Sequence, residues 1–165
     1  MRTFAIAFSA LLLASAVAKA DTTADIIGET GETIGSATLT GSPHGVLIRV
    51  EIEAGGMTPG WHGIHLHQVG DCSDVGEFQL SGGHVNPEGR EHGLLNPDGP
   101  DAGDLPNLFA NEDGSVNAEM FTWLITLDAL QEGDGSAIVF HENEDDHMSQ
   151  PIGGAGARVA CAEIH

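Results

Sequence analysis

Residues 44–55, "HGVLIRVEIEAG", decide the fold of this chain. Apolar side chains occupy every second position, at Val46, Ile48, Val50 and Ile52. Three of the alternating positions are charged, at Arg49, Glu51 and Glu53. Because successive side chains of a strand point to opposite faces, this pattern predicts a β-strand with one buried face.

The same period of two recurs along the chain and predicts about eight strands. It is present in "TIGSATL" (33–39), "WHGIHLHQV" (61–69), "MFTWLITL" (120–127), "SAIVFHE" (136–142) and "ARVACAEI" (157–164), and less regularly in 25–30 and 115–120. Outside residues 1–20 no segment has a helical period. Many short strands with glycine-rich turns indicate an all-β, antiparallel sandwich or barrel.

Two long stretches have no strand pattern, from Gly70 to about Asn111 and from Asn143 to Gly156. Loops of this length are uncommon in a compact domain and are usually functional. We therefore expect these two loops to be functional.

Residues 1–20 resemble a secretory signal peptide, with Arg2, an apolar run and a small-residue site at Ala18-Lys19-Ala20. The alternative is a membrane anchor, for which the apolar run is short. We expect cleavage before Asp21, one domain over residues 21–165, and a periplasmic or secreted product that is not bound to a membrane.

The chain is strongly acidic. Its formal charge is −20, and removal of residues 1–20 leaves three arginines against 25 acids, which is −22. Such a charge argues against binding to nucleic acid or anionic lipid.

The chain contains two cysteines, Cys72 and Cys161. In an exported protein they most simply form one disulfide, the alternative being two buried free thiols. A zinc-thiolate site is disfavoured because the cysteines do not have paired spacing.

Histidines are concentrated around the predicted loops. His65 and His67 are two positions apart in a strand, so their rings share a face and could bind one transition metal. His62 lies on the opposite, core-facing side and is predicted to be structural. His44, His147 and His165 are interpreted as ordinary turn, loop and terminal residues.

Further candidate ligands are His84, His92, Asp101 and Asp104 in the first loop and His141 before the second. Several imidazoles together suit copper, and a mixture of imidazole and carboxylate suits zinc. Asp101 and Asp104 lie in "GPDAGD" (99–104), where either could instead form a turn.

Five motifs in this order resemble those of the bacterial secreted copper-zinc superoxide dismutases. They are "GWHGIHLHQVGDC" (60–72), "GGHVNPEGREHG" (82–93), "AGDLPNL" (102–108), "VFHENEDD" (139–146) and "GGAGARVAC" (153–161). The resemblance implies an eight-stranded antiparallel Greek-key barrel or sandwich with two long functional loops.

The resemblance also implies one copper and one zinc ion per subunit. The implied copper ligands are His65, His67, His84 and His141, and His84 would also bridge to zinc. The implied zinc ligands besides His84 are His92 and Asp104. Asp145 would link the two metal sites, Arg158 would stand beside the copper, and Cys72 and Cys161 would form the disulfide.

One position departs from the family pattern. The family has a third zinc histidine where this chain has Asp101. Aspartate is a known zinc ligand, so Asp101 is interpreted as a replacement ligand, with a solvent-facing turn residue as the alternative. Zinc affinity and occupancy depend on which interpretation is correct.

The implied activity is dismutation of superoxide to dioxygen and hydrogen peroxide by copper cycling between Cu(II) and Cu(I). Arg158 would attract the anion and His84 would transfer a proton. The alternative is an exported copper- and zinc-binding protein of the same fold without turnover. The subunit is expected to be a monomer or a homodimer.

Overall fold

The computed structural model describes residues 21–165, and the predicted signal peptide lies outside them. This part of the chain contains nine strands: β1 (Asp21–Gly28), β2 (Thr33–Ser42), β3 (Gly45–Ile52), β4 (Gly60–His62), β5 (Ile64–His67), β6 (Leu108–Ala110), β7 (Val116–Thr122), β8 (Ser136–His141) and β9 (Arg158–Ile164). One α-helix, α1 (Leu127–Leu130), and one 3₁₀ turn (Gln79–Ser81) complete it. Among residues 21–165, no helix has the length and apolar character needed to cross a bilayer.

Seven strands form one antiparallel sheet in the order β5-β8-β9-β1-β2-β3-β7, and β4 pairs with β6. Strands β1, β2 and β3 are joined by hairpins, but β9 lies beside β1 and β7 beside β3. These non-sequential neighbours are typical of Greek-key connections. Because β6 contacts β7 and β4 leads directly into β5, the curled sheet approaches closure. The predicted all-β antiparallel class is confirmed.

The core follows the alternation seen in the sequence. Val46, Ile48 and Val50 are fully buried, whereas Arg49 points outward and pairs with Glu119 across the β3–β7 ladder. The inward side chains of β3 pack against Ile26, Leu39 and Ile138 from other strands. Burial of these apolar faces curls the sheet around a single core.

The strand predicted at 120–127 is wrong in its second half. Strand β7 covers Val116–Thr122, and the less regular pattern at 115–120 belongs to the same strand. The chain then turns, and the Thr126 side chain accepts a hydrogen bond from the Ala129 N–H at the start of α1. Leu127 and Leu130 are buried by this single helical turn, which explains why an apolar run here is not a strand.

Two other boundaries differ from the prediction. The strand predicted at 61–69 is divided at Gly63 into β4 and β5, and the first long stretch contains the three-residue strand β6. Strand β6 is too short to show a period of two.

The predicted disulfide is confirmed: Cys72 and Cys161 are bonded, and their Cα atoms lie 5.8 Å apart. It ties the start of the first loop to β9.

Candidate metal centre

Strand β5 carries the first two histidines of a buried cluster. His65 and His67 project from one side of β5, while Ile64 and Leu66 enter the core from the other. Both histidines are buried, because the first long loop covers this side of the strand.

The loop is held against β5 by backbone hydrogen bonds. Leu66 donates its N–H to Gly103 O and accepts at its O from Val85 N–H, both at 2.9 Å. His84 therefore lies opposite His67, and Asp104 lies opposite His65. A β-carbon at Gly103 would lie 2.4 Å from Leu66 O, so this close approach requires glycine.

His141 enters the same cluster from the end of β8. The pairing of β8 with β9 is irregular between Phe140 and His141, and the His141 N–H donates to Gly63 O at 2.9 Å. The His141 ring lies 4.8 Å from that of His65 between centroids. Four imidazoles from β5, the first loop and β8 are thus brought together.

Each of these four rings has one nitrogen bound to a fixed oxygen. The pairs are His65 Nε2 with Asp145 Oδ2 (2.7 Å), His67 Nδ1 with Gly82 O (2.9 Å), His84 Nδ1 with Asp101 Oδ2 (2.9 Å) and His141 Nδ1 with Gly156 O (3.2 Å). The second nitrogens are buried and have no hydrogen-bond partner within residues 21–165: Nδ1 of His65 and Nε2 of His67, His84 and His141. Buried polar atoms are normally paired, so four unpaired nitrogens on adjoining rings fit a metal ion.

Burial keeps the rings of His65, His67 and His141 neutral, as metal ligands must be. It lowers the pKa of His65. Burial, together with the nearby Arg158 charge, lowers the pKa of His67 to about 2. Burial and the neighbouring His65 lower the pKa of His141 to about 3. A set of neutral imidazoles is a donor set that suits copper.

A second cluster shares His84 with the first. One donor atom from each of four residues lies within 4.8 Å of the others: His84, His92, Asp101 and Asp104. Asp104 Oδ2 accepts from the N–H groups of Gly93 (2.7 Å) and Asp101 (2.9 Å). Its Oδ1 lies 2.5 Å from His92 Nδ1 and is free of backbone donors. Two imidazoles and two carboxylates are a donor set that fits zinc.

Asp101 is part of this cluster and does not face solvent. Its exposed fraction is 3%, so the interpretation of a solvent-facing turn residue is wrong. Its Oδ1 accepts from the Gly103 N–H at 2.9 Å, and its Oδ2 is the acceptor for His84. The Asp101 carboxylate occupies the position at which the family resemblance implies a third zinc histidine.

Asp145 connects the two clusters. One oxygen lies 2.7 Å from His65 Nε2 and the other lies 3.2 Å from His92 Nε2. Burial by itself would raise the pKa of Asp145, but its bonds to His65 and His92 hold that pKa far below the usual value. Burial likewise opposes protonation of His92, yet Asp104 and Asp145 raise its pKa to about 10. Asp145 is therefore a charged bridge between the sites.

Two residues that support Asp145 were not predicted from the sequence. The Asn107 side chain donates to Asp145 O (2.8 Å) and accepts from the Asp145 N–H (3.0 Å). The backbone N–H of His147, which we interpreted as an ordinary loop residue, donates to Asp145 Oδ1 at 2.7 Å. The position of Asn107 in "AGDLPNL", three residues after Asp104, was the available signal.

Arg158 lies beside the histidine cluster. Its guanidinium donates to Phe78 O (2.6 Å), Ser81 Oγ (3.0 Å) and Gly82 O (2.8 Å). Gly82 O also accepts from His67, and the Arg158 charge lowers the pKa of both His67 and His141.

His62, by contrast, is structural as predicted: its buried ring lies 2.7 Å from both Thr58 O and His141 O.

Comparison with known proteins gives a consistent result. The family model described as copper/zinc superoxide dismutase matches residues 33–164. A superoxide dismutase [Cu-Zn] from Caulobacter vibrioides is 50% identical over 141 residues, which cover 81% of this chain and 79% of that protein. A SOD-like protein from Bacillus subtilis has a TM-score of 0.79 at 30% identity and covers 90% of this chain and 100% of that one. The Cu/Zn superoxide dismutase from Brucella abortus has a TM-score of 0.72 at 30% identity, covering 88% and 100%.

Proposed function

The chain belongs to the copper/zinc superoxide dismutase family, and we propose that it dismutates superoxide to dioxygen and hydrogen peroxide at the buried histidine cluster. One observation carries this proposal: in the described part of the chain, four adjoining imidazoles each have one nitrogen fixed by a hydrogen bond and the other buried and unpaired. The copper ligands in this proposal are His65, His67, His84 and His141. The zinc ligands are His84, His92, Asp101 and Asp104.

Copper supplies the one-electron oxidation and reduction of superoxide, whereas zinc has no redox chemistry. The chain itself supplies the geometry. Asp145 orients the rings of His65 and His92, and the carbonyls of Gly82 and Gly156 orient His67 and His141. Fixing one nitrogen of each ring determines which nitrogen faces the metal.

Arg158 is proposed to attract and orient the anionic substrate. Three acceptors in the first loop hold its planar group, so its charge is fixed in position beside His67. The disulfide secures this arrangement, because Cys161 follows Arg158 on β9 and Cys72 lies at the start of the same loop. His84 is proposed to accept a proton at Nε2 and deliver it to the reduced oxygen species, since imidazole basicity is close to neutral pH.

The test combines metal content with turnover. The purified protein, loaded with copper and zinc, should contain one of each by mass spectrometry and should accelerate superoxide decay. His141→Ala should lose copper and activity, whereas His44→Ala, which alters an exposed turn, should retain both. Full copper loading without dismutation would instead support the non-catalytic metal-binding alternative.

Export to an oxidising compartment is also part of this proposal. The Cys72–Cys161 disulfide supports it, because such bonds persist mainly outside the cytoplasm. Cell fractionation with antibody detection of the processed chain tests export. A monomer or homodimer stays a prediction, which light scattering would test.

A further inference from the structure

We propose that Asp101 is a positioning residue that holds the copper-facing nitrogen of His84 in place when zinc is absent. This inference rests on the proposed function, in that it takes His84 as a copper ligand. It concerns the one position at which this chain departs from the family pattern.

The geometry of Asp101 is set by the chain itself. Its Oδ1 is bound by the Gly103 N–H at 2.9 Å, and its own N–H donates to Asp104 Oδ2 at 2.9 Å. Its Oδ2 then lies 2.9 Å from His84 Nδ1, in a contact where both side chains are buried. The carboxylate is therefore anchored on one side and presents its free oxygen to His84.

This contact determines the tautomer of His84. A carboxylate can only accept a hydrogen bond, so the neutral ring carries its proton on Nδ1. The lone pair is then on Nε2, which is buried and has no hydrogen-bond partner in the described part of the chain. The same ring lies against those of His65 and His67, with centroid separations of 4.3 and 5.3 Å. Nε2 is thus directed into the copper cluster by Asp101.

Within residues 21–165, no other carboxylate lies within hydrogen-bond distance of His84 Nδ1. Asp104 Oδ1 is 3.8 Å from His84 Nδ1, too far for a hydrogen bond, and Asp104 Oδ2 is used by two backbone donors. The Asp145 carboxylate is directed to His65 and His92.

A histidine at position 101 would behave differently. With zinc bound, it would serve as a ligand and zinc would fix His84. Without zinc, an imidazole offers a neutral acceptor, whereas a carboxylate makes a charge-assisted bond that is stronger and raises the basicity of the ligating ring. The copper site of this chain should therefore depend less on zinc than that of an Asp101→His variant.

The experiment compares copper binding with and without zinc in the full-length protein. Wild type, Asp101→His and Asp101→Asn are loaded with copper alone or with both metals. Copper affinity is measured by chelator competition, and the copper environment by electron paramagnetic resonance. Asp98→Asn, which changes an exposed carboxylate in the same loop, is the matched control.

We expect zinc removal to change wild-type copper affinity by less than about threefold and to leave the resonance spectrum nearly unchanged. In Asp101→His, zinc removal should weaken copper binding by roughly 10- to 100-fold, the usual effect of losing a partner that orients a ligand. Asp101→Asn should show the same loss without zinc, because one amide oxygen cannot serve both Gly103 and His84. Asp98→Asn should match wild type.

A wild-type protein that loses as much copper affinity on zinc removal as Asp101→His would overturn the inference. So would a large spectral change on zinc removal from wild type alone, a result that needs no variant to fold. Failure of the proposed function is distinguishable, since the wild type would then bind no copper in the cluster or would bind it without dismutation.

Discussion

Asp145 links the two clusters that share His84. It bonds to His65 in one cluster and His92 in the other, and it is itself held by Asn107 and His147. A buried charge is stable only when its bonds are satisfied, so the residues that hold Asp145 contribute to the metal sites without touching a metal.

Asn107→Ala tests this dependence. The substitution removes two hydrogen bonds to the Asp145 backbone, and we expect the free energy of unfolding to fall by about 1–3 kcal/mol. Zinc should also be lost more readily to a chelator. Thermal unfolding and metal retention are the measurements, and Asn111→Ala, at an exposed asparagine, should change stability by less than about 0.5 kcal/mol. Equal stability and equal metal retention of Asn107→Ala and Asn111→Ala would contradict the role assigned to Asn107.

Strand β5 is the element around which the site is assembled. It pairs with β8 through one edge, and its other edge receives the loop segments that carry His84 and Asp104. The loop is therefore added to the sheet by backbone bonds, which gives loop residues the positional precision of a strand.

Gly103→Ala tests this docking of the loop. Its β-carbon would lie 2.4 Å from Leu66 O and 3.0 Å from the His84 β-carbon, so the loop must move away from β5. We expect a loss of about 1–3 kcal/mol, with a fall in melting temperature of roughly 2–4 °C for each kcal/mol, and weaker copper retention. Gly83→Ala is the control, because a β-carbon there meets nothing within 4 Å. If Gly103→Ala has the same melting temperature as Gly83→Ala, the loop tolerates displacement from β5 and the inferred role of Gly103 is wrong.

Across the whole molecule, charge opposes the approach of an anion. Residues 21–165 carry three arginines against 25 acids, and Arg158 is the arginine held beside the histidine cluster. At long range the negative net charge dominates, whereas Arg158 dominates only close to the histidine cluster. Added salt screens the long-range repulsion more strongly than the short-range attraction by Arg158. The reason is that the Debye length falls from about 30 Å at 0.01 M to about 8 Å at 0.15 M.

We therefore expect the second-order rate constant for superoxide to rise by roughly two- to fivefold as ionic strength increases over this range. Pulse radiolysis measures it directly. Arg158→Gln should be slower at every ionic strength and should keep the upward slope. A wild-type rate that falls with salt would mean that local attraction outweighs the net charge.

The all-β class and most strand positions were predictable from the sequence, because burial of one face imposes a period of two that is visible at Val46, Ile48 and Val50. That signal disappears in short elements. Strand β6 has only three residues. The apolar run ending at Leu127 is compatible with a helical turn as well as with a strand. The histidines and Asp104 could be selected as ligands by residue type and motif, but Asn107 could not be assigned a role, since its partner Asp145 is 38 residues away.

Residue types and their spacing were thus sufficient to specify a strand-built domain and a histidine- and aspartate-rich donor set, because these follow from local periodicity and side-chain chemistry. They did not specify which nitrogen of each ring is free or whether Asp101 faces solvent or the cluster. Those outcomes depend on hydrogen bonds between residues far apart in the chain, such as Gly103 to Leu66 and Asp101 to His84. Such contacts form only when the sheet has curled and the loop has docked on β5.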